Sequence, residues 1–319
     1  MSYETITVGA GDQFVKSLSA GETWENKLID ITANRASFRI LAQVGGSGAT
    51  IRNIGIKGKY DHRDYDNNAI VLSARDSNGH VELDNLYWGD GHEGPHPDPS
   101  DDPSGTSVRP SHEGSCMFSR VTMREIPDNA LYGSPAGHQS DHPAGPAGGG
   151  RLDIKNCFVE DCQTSDIRVG TDGVIENTGL YNNAHRGIWA NQHIDDGHQT
   201  IRNCHILSGG SRAIAVGNSN WDGGLNNSVI LEEGVYVHES GLFTYNSGNE
   251  IIGEPAGPPQ VHPPSFFGAP ESAEEAASGE AIEPEPPEDL NHVDEDFEHG
   301  DLGAFYLGDI GDFDIVGGE

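Results

Sequence analysis

A six-residue pattern that recurs along the chain constrains the fold more than any other feature. Each copy has an apolar residue, an Asn two positions later and a second apolar residue three positions after the Asn, as in 154–159, 175–180 and 201–206. The Asn residues of these copies follow one another at steps of 21 and 26 residues, which is typical of stacked structural repeats. Strand-length apolar pieces separated by turn residues, without a helical period, favour β structure. The sequence therefore predicts an all-β solenoid, a parallel β-helix.

Seven copies of this pattern occur between residues 51 and 230. Their central residues are Asn53, Asn85, Arg120, Asn156, Asn177, Asn203 and Asn227. Partner strands follow these copies, centred on Leu131, Ile167, Ile188 and Ile214, each eleven residues after the central position, and on Leu242–Phe243 for the last copy. Asn tolerates the left-handed backbone conformation, and its amide can bond to the same position of the next repeat. We therefore expect a ladder of Asn side chains along one corner of the stack.

Regions outside the pattern divide the chain into four predicted parts. We expect N-terminal capping strands in 1–45, the β-helix in 46–253, a Pro- and Glu-rich, largely extended linker in 254–290, and a short β-forming segment in 291–319. Two insertions rich in Gly and Pro, 89–114 and 133–150, interrupt the repeat. Long loops on a rigid scaffold often carry function, so we expect both insertions to project from one face.

The charge balance excludes one class of partner. The chain has 18 basic and 51 acidic residues, for a net charge of −33, and such a protein would be repelled by nucleic-acid phosphates. Arg outnumbers Lys by 13 to 5, and this composition resembles that of proteins from extreme halophiles, in which carboxylates maintain solubility in concentrated salt. No apolar stretch approaches the ~20 residues that cross a bilayer, so we expect no membrane insertion, and no leader for secretion is recognisable. We expect the four Cys residues to be buried free thiols.

A candidate binding surface follows from the predicted alternation of the partner strands. With Leu131, Ile167, Ile188 and Ile214 directed inward, the residues after them are directed outward and stack as Tyr132, Arg168, Trp189 and Ala215. Aromatic rings can pack on sugar faces, and guanidinium groups can bind carboxylate or sulfate. We therefore predict that Tyr132, Arg168 and Trp189 bind an extended glycan.

Titratable residues are densest close to this column. His185, Arg186, Asp195 and Asp196 lie within twelve residues of one another, and Arg212 shares the register of Arg186 one repeat later. Paired carboxylates with an Arg or His can perform glycosidic acid–base chemistry or remove a sugar proton, so these five are candidate catalytic residues. The alternatives are a solvated acidic loop and two arginines that neutralise nearby carboxylates such as Asp166 and Asp195.

Histidines in the two insertions form a weaker metal-site candidate. The segment His92–His96 matches the letters of a zinc-protease motif, but that motif requires a helix, and Gly94 and Pro95 disfavour one. If the insertions approach each other, a metal could be bound by His92, His96, His112, His138, Asp141 and His142.

With its seven copies of the Asn pattern, the region 46–253 resembles the right-handed parallel β-helix superfamily, the pectin-lyase-like fold. That family includes polysaccharide lyases and hydrolases, and also tailspikes and other surface proteins of tailed viruses. The Arg-x-Pro-x-x-Arg signature of pectate lyases is absent, as is the polygalacturonase set of Asn-Thr-Asp, Gly-His-Gly and Arg-Ile-Lys. The resemblance therefore implies a right-handed parallel β-helix and assigns no catalytic residue.

Two functions are compatible with these features. The first is a virion surface protein of a halophilic archaeal virus (a turret, fibre or spike) that contacts host envelope glycans or an S-layer glycoprotein. It would assemble in the host cytoplasm as a homo-oligomer about a rotation axis, a trimer or pentamer, and could bind other virion proteins through its C-terminal arm. The second is an extracellular polysaccharide lyase or glycoside hydrolase of a haloarchaeon. We expect no cofactor. Binding of a structural cation is compatible with the sequence.

Overall fold

The described part of the protein is built from β-strands that form two parallel sheets. The computed structural model describes residues 2–61, 68–92, 103–137, 147–182, 185–190, 196–209, 212–218, 226–280 and 284. Within these residues every pairing between the strands of either sheet is parallel, as in the contacts between 151–155 and 172–176 and between 165–169 and 186–190. The predicted fold class, all-β with parallel sheets, is confirmed.

The strands lie along a chain that passes alternately through the two sheets, and from residue 151 to 237 each passage through the first sheet consists of two short strands. In chain order they are β1 (Glu4–Thr7), β2 (Gln13–Ser17), β3 (Thr23–Asp30), β4 (Ser37–Val44), β5 (Ala49–Lys57), β6 (Ile70–Ala74), β7 (His80–Trp88), β8 (Thr106–Val108), β9 (Ser115–Arg124), β10 (Asn129–Gly133), β11 (Arg151–Lys155), β12 (Phe158–Glu160), β13 (Ser165–Val169), β14 (Asp172–Glu176), β15 (Gly179–Asn182), β16 (Arg186–Ala190), β17 (His198–Arg202), β18 (Cys204–Ser208), β19 (Ile214–Val216), β20 (Ser228–Leu231), β21 (Val235–Val237), β22 (Leu242–Thr244) and β23 (Glu250–Ile252).

The order of strands within each sheet follows this alternation. The first sheet runs β1-β3-β5-β7-β9-β11-β14-β17-β20-β23, with β12, β15, β18 and β21 continuing it laterally. The second sheet runs β2-β4-β6-β8-β10-β13-β16-β19-β22. One repeat is one passage of the chain through the first sheet and then the second. Because successive repeats enter each sheet in the same direction, their strands pair in parallel.

The core consists of one or a few apolar side chains from each strand. Leu131, Ile167, Ile188 and Ile214 pair in register across β10, β13, β16 and β19, and each is at most 1% exposed. The predicted inward positions are therefore confirmed. They belong to one continuous apolar cluster of the described residues, so each repeat is stabilised mainly by its neighbours.

Asn side chains form the predicted ladder at the corner within the first sheet. Asn53 Nδ2 donates to Asn26 Oδ1, Asn85 Nδ2 to Asn53 Oδ1 and Asn177 Nδ2 to Asn156 Oδ1, each at 2.9 Å. These residues have φ between 46° and 56°, which Asn adopts more readily than most residues. Arg120 occupies the same position with φ 54° and donates from Nε to Asp84 Oδ1 at 2.9 Å.

Three positions of the ladder differ from the prediction. Asn203 has the left-handed backbone, with φ 52°, but no hydrogen bond joins its side chain to that of Asn177 within the described residues. Asn26 is an additional member, in a segment that we expected to lack the pattern. Asn227 does not belong to the ladder, because Leu231 pairs with Ile201 and shifts the repeat by several residues. Gly234, with φ 70°, adopts the left-handed conformation beside Asn203 instead, and Gly does so without steric cost.

Substitutions of Asn177 should separate two contributions of the ladder to stability: the side-chain hydrogen bonds and the left-handed backbone conformation. Asn177 Nδ2 also donates to the Phe267 carbonyl at 3.2 Å. Asn177→Gly removes the hydrogen bonds but retains access to the left-handed backbone, whereas Asn177→Ala loses both. We predict a loss of about 1–2 kcal/mol in the free energy of unfolding for Gly and about 1 kcal/mol more for Ala. Urea unfolding measures both values, and an Ala variant as stable as the Gly variant would contradict the backbone contribution.

The insertion predicted at 89–114 contains a strand of the second sheet. β8 pairs with β6 on one side and with β10 on the other. Its three residues are buried, but two of them are Thr106 and Ser107, so no apolar run marks them in the sequence. Residues 106–108 are therefore part of the second sheet rather than of a projecting loop, and residues 93–102 lie outside the described residues. The second insertion begins with the end of β10 and a 3-10 helix at Ser134–Gly137, and residues 138–146 also lie outside them.

Residues 254–280, here called the strap, pack on the outer side of the first sheet, where the sequence predicts a largely extended linker. A 3-10 helix spans Pro264–Phe267, and helix α1 spans Ala273–Ser278. Phe267 is fully buried against Phe158, and Ala273 and Ala277 pack on Leu28. An extended linker is therefore wrong for this part of the chain.

Glycines of the first sheet make room for the strap. A Cβ atom at Gly55 would overlap the backbone of Ala273, and one at Gly179 would overlap the ring of Phe267. The Ser272 side chain caps α1 by accepting from the Glu275 N–H at 3.2 Å, and Glu274 forms an ion pair with Lys57. The predicted segment 291–319 lies outside the described residues.

Docking of the strap is expected to depend on pH through His205. Its Nδ1 accepts from the Gln260 N–H at 3.2 Å, and its ring lies between Tyr236 and His262, 4.5 Å from each centroid. Burial, together with nearby His262, lowers the pKa of His205 to about 4. An unfolded His titrates near 6.5, so the neutral form stabilises the folded state fully above that pH, and this contribution is lost as the pH falls towards 4.

We predict that His205→Gln makes the free energy of unfolding less dependent on pH between pH 6.5 and 4. Gln retains an acceptor for the Gln260 N–H but does not titrate between pH 6.5 and 4. The wild type should lose on the order of 3 kcal/mol more than the variant over this range. Urea unfolding at constant salt compares the two proteins at both pH values, and parallel profiles would contradict the role of His205.

Candidate functional site

The column of outward residues predicted on the second sheet is present. Tyr132 pairs with Arg168, Arg168 with Trp189, Trp189 with Ala215 and Ala215 with Phe243. Consecutive members stand ~4.8 Å apart because this is the strand spacing of a sheet. The register predicted from the Asn positions is therefore confirmed for Tyr132, Arg168, Trp189 and Ala215. Phe243, which the predicted column did not include, extends it by one member.

Each arginine near this column lies over an aromatic ring. The guanidinium carbon of Arg168 lies 5.0 Å from the ring centroid of Tyr132 and 4.4 Å from that of Trp189. Arg186 lies 4.1 Å from the Trp189 centroid, and Arg212 lies 4.5 Å from that of Phe243. Such cation–π contacts are favourable, most of all with Trp, so the rings hold the guanidinium groups in place.

Tyr245 connects two of these arginines. Its hydroxyl oxygen accepts from Arg186 Nη2 and from Arg212 Nη1, each at 3.0 Å. The ring lies 4.9 Å from Phe243 and 6.2 Å from Trp189 between centroids. The sequence reasoning missed Tyr245, although it lies two residues after Phe243, and alternation along a strand places such residues on the same face. The arginine–aromatic face comprises Tyr132, Arg168, Arg186, Trp189, Arg212, Phe243 and Tyr245.

The orientation of Trp189 is fixed by a backbone contact. Its Nε1 donates to the Gly217 carbonyl at 2.8 Å, and Gly217 adopts φ 85° at the end of the next repeat. A buried or half-buried indole N–H usually requires such an acceptor. The ring is thereby positioned between Arg168 and Arg186.

Most basic residues elsewhere in the described part of the chain form ion pairs. On the outer side of the first sheet Arg202 bridges Glu176 at 3.0 Å and Glu232 at 3.5 Å, and Lys155 lies 3.4 Å from Glu176. Nine basic residues of the described part form ion pairs: Lys16, Lys27, Arg52, Lys57, Arg120, Arg124, Arg151, Lys155 and Arg202. By contrast, within the same described part neither Arg186 nor Arg212 forms an ion pair.

The alternative that these arginines neutralise Asp166 is wrong. Asp166 is fully buried near the start of β13, where Asn182 Nδ2 donates to Oδ1 at 3.0 Å. Burial raises the pKa of this carboxyl well above its ordinary value, and its side-chain hydrogen bond is to Asn182 rather than to an arginine. The other carboxylate considered, Asp195, lies outside the described residues.

Burial also changes titration close to the arginine–aromatic face. It lowers the pKa of Arg168 below its ordinary value and raises that of the Tyr132 hydroxyl. The pKa of His185 is lowered by burial and by the adjacent Arg186. His185 is therefore neutral at neutral pH, and the arginines supply the positive charge of this face.

The candidate catalytic residues are only partly brought together. Arg186 and Arg212 share the Tyr245 hydroxyl, and His185 precedes Arg186 in the chain and feels its charge. Asp196 is exposed in a turn with φ 56°, and no described contact joins it to these arginines. A pair of carboxylates on this face is not found among the described residues, so the catalytic assignment remains a prediction.

The two histidines of the metal-site candidate that the structure describes are core residues in separate surroundings. His92 packs 5.2 Å from the ring centroids of both Tyr60 and Trp88. His112 Nδ1 accepts from the Ala74 N–H at 3.1 Å, and its Nε2 lies 3.3 Å from the Arg151 carbonyl oxygen. Three or more metal-binding side chains do not cluster anywhere in the part of the chain described. The other members lie outside it: His96, His138, Asp141 and His142.

Comparisons with protein-family models, with curated proteins and with solved structures find no match to this chain. None of the helices in the described ranges is long and apolar enough to cross a membrane. The cysteines are buried free thiols, as predicted.

Proposed function

We propose that the protein is a right-handed parallel β-helix whose arginine–aromatic face binds an acidic glycan. Stacked repeats that alternate between two parallel sheets, with an Asn ladder at one corner, support the solenoid architecture. The observation that carries the binding proposal is the convergence of Arg186 and Arg212 on the Tyr245 hydroxyl in a protein of net charge −33.

The contacts of the rings favour the anionic groups of the glycan over its sugar faces. Trp189 already has two guanidinium groups over its ring, and Phe243 has one. A sugar packing on these rings would have to displace them. The guanidinium edges, by contrast, carry N–H donors suited to carboxylate or sulfate. The rings therefore position the arginines, and the arginines bind the ligand.

Concentrated salt weakens anion binding at this face less than it weakens long-range electrostatic attraction. At the ionic strength in which halophilic proteins function, the Debye length falls to about 3 Å or less. Direct hydrogen bonds from a guanidinium to an anion act within contact distance, and the half-buried position of Arg186 and Arg212 limits screening. Binding through such contacts suits an acidic protein in concentrated salt.

We propose that this binding serves attachment, with the protein at the virion surface of a halophilic archaeal virus and the ligand on the host envelope. The composition of the chain supports the halophilic setting, and the resemblance of its repeats to tailspike-type β-helices supports the attachment role. Assembly about a rotation axis and contacts of the C-terminal arm with other virion proteins belong to this proposal. So does recognition of a host glycan or S-layer glycoprotein.

One experiment tests attachment against polymer cleavage. Purified protein in concentrated salt is mixed with haloarchaeal cells and, separately, with glycan released from their envelopes. Attachment predicts that the protein sediments with the cells while the chain length of the glycan stays constant. Shortened glycan or unsaturated ends would instead establish a lyase or hydrolase, and a protein that neither sediments nor cleaves would refute glycan recognition.

A further inference from the structure

Two described side chains, Arg186 and Arg212, donate hydrogen bonds to the Tyr245 hydroxyl. A phenolic oxygen has two acceptor lone pairs and one O–H. Since Arg186 and Arg212 both donate to this oxygen at 3.0 Å, its lone pairs are used. The O–H is then left to donate to a third group. Two guanidinium groups and one phenol thus converge on the same small region.

The remaining groups of the two arginines are donors as well. Each guanidinium has five N–H groups and no acceptor, and only one N–H of each contacts Tyr245. The Arg186 Nε is buried and has no hydrogen-bond partner among the described residues. A ligand for this site must therefore offer several acceptor oxygens and a negative charge.

We infer that this site takes a sulfate ester of the glycan, a conclusion that depends on the proposed function. A carboxylate has two oxygens in one plane, and a single guanidinium satisfies both as a fork. A sulfate ester has three terminal oxygens in a tetrahedral arrangement, so it can bridge Arg186 and Arg212 and accept from Tyr245. A phosphate monoester has the same shape but carries close to two charges at neutral pH, which a protein of net charge −33 opposes more strongly.

The test compares four probes in concentrated chloride salt. They are a neutral glucan, the same glucan sulfated, a polyuronate matched to it in length and charge density, and inorganic sulfate. We expect the sulfated glucan to bind at least about 10-fold more tightly than the polyuronate by calorimetry. Inorganic sulfate should compete weakly, and the neutral glucan should not bind.

The outcomes separate this inference from the proposed function. Equal or tighter binding of the polyuronate would overturn the sulfate assignment while leaving an acidic-glycan site. Binding of none of the glucans or the polyuronate would overturn both. Inorganic sulfate that binds as tightly as the sulfated glucan would show a site for the free anion and would also overturn the assignment.

Tyr245→Phe gives a second readout that retains the ring. This variant loses the oxygen that joins the two arginines and the O–H that contacts the ligand, so the preference for sulfated glucan over polyuronate should fall by about 10-fold. Arg75→Lys is the matched control, because Arg75 lies beyond β6 and contacts Gln43. An unchanged preference in Tyr245→Phe would contradict the site.

Discussion

Replacing Arg186 and Arg212 together with Ala is expected to weaken acidic-glycan binding by at least about 100-fold, because hydrogen bonds to charged groups contribute about 1.5–3 kcal/mol each. Each single variant should lose about 10-fold. The thermal midpoint should fall only modestly, because the variant loses half-buried cation–π contacts and hydrogen bonds to Tyr245 but no ion pair within the described residues. Calorimetric titration in concentrated salt measures the binding, and thermal unfolding measures the midpoint.

Arg75→Ala is the control for removal of one positive charge from the same side of the molecule. It should bind glycan as the wild type does, because its guanidinium contacts Gln43 rather than the rings of the arginine–aromatic face. If the Arg75 variant weakened binding as much as the double variant, the effect would come from total charge. The specific role of Arg186 and Arg212 would then be refuted.

Phe267→Ala is expected to have the largest effect on stability. The Phe267 ring is fully buried between the strap and the first sheet, where it contacts Phe158 and His205. Truncating a buried Phe typically costs about 3–5 kcal/mol through lost burial and the resulting cavity. Urea unfolding at fixed salt should show this loss, and limited proteolysis should cleave the variant within the strap.

The neighbouring Phe266 provides a matched control. Phe266 is half-buried and stacks on His262 at 3.9 Å between centroids, so its truncation removes less buried surface. We expect Phe266→Ala to lose less than half as much stability as Phe267→Ala. A Phe267 variant as stable as the wild type would show that the strap contributes little to the fold.

The features that the sequence predicts well depend on local repetition. The alternation of inward and outward residues, counted from each Asn, places Tyr132, Arg168 and Trp189 in one column, and the strand register agrees. The count succeeds because the interval from Asn to partner strand is constant in these repeats. It fails for Asn227, where the repeat is offset and a Gly replaces the Asn.

The features that the sequence does not predict depend on contacts between distant residues. The strap has few strongly apolar residues and no long period, and its structure comes from docking against strands more than 80 residues earlier, as in the contacts of Phe267 with Phe158 and Asn177. Helix α1 has only six residues, too few to form alone in water. Tertiary packing therefore decides this segment, and single-sequence patterns do not capture it.

The candidate site likewise has some features that the sequence predicts and others that only the folded structure shows. The sequence places arginines and rings on one face, but it does not show that the guanidinium groups cover Trp189 or that Arg186 and Arg212 share the Tyr245 hydroxyl. These contacts shift the interpretation from ring–sugar stacking to anion binding by arginine. Side-chain conformation makes this difference, and the strand register alone does not determine it.

Arginine footprinting with and without glycan tests the binding proposal most directly. The protein in concentrated salt is treated with phenylglyoxal, and modification of each arginine is quantified by mass spectrometry. Bound acidic glycan should protect Arg186 and Arg212 while leaving Arg75 as reactive as before. Equal modification of all three in both samples, or protection confined to arginines outside the arginine–aromatic face, would contradict the proposal that this face binds the glycan.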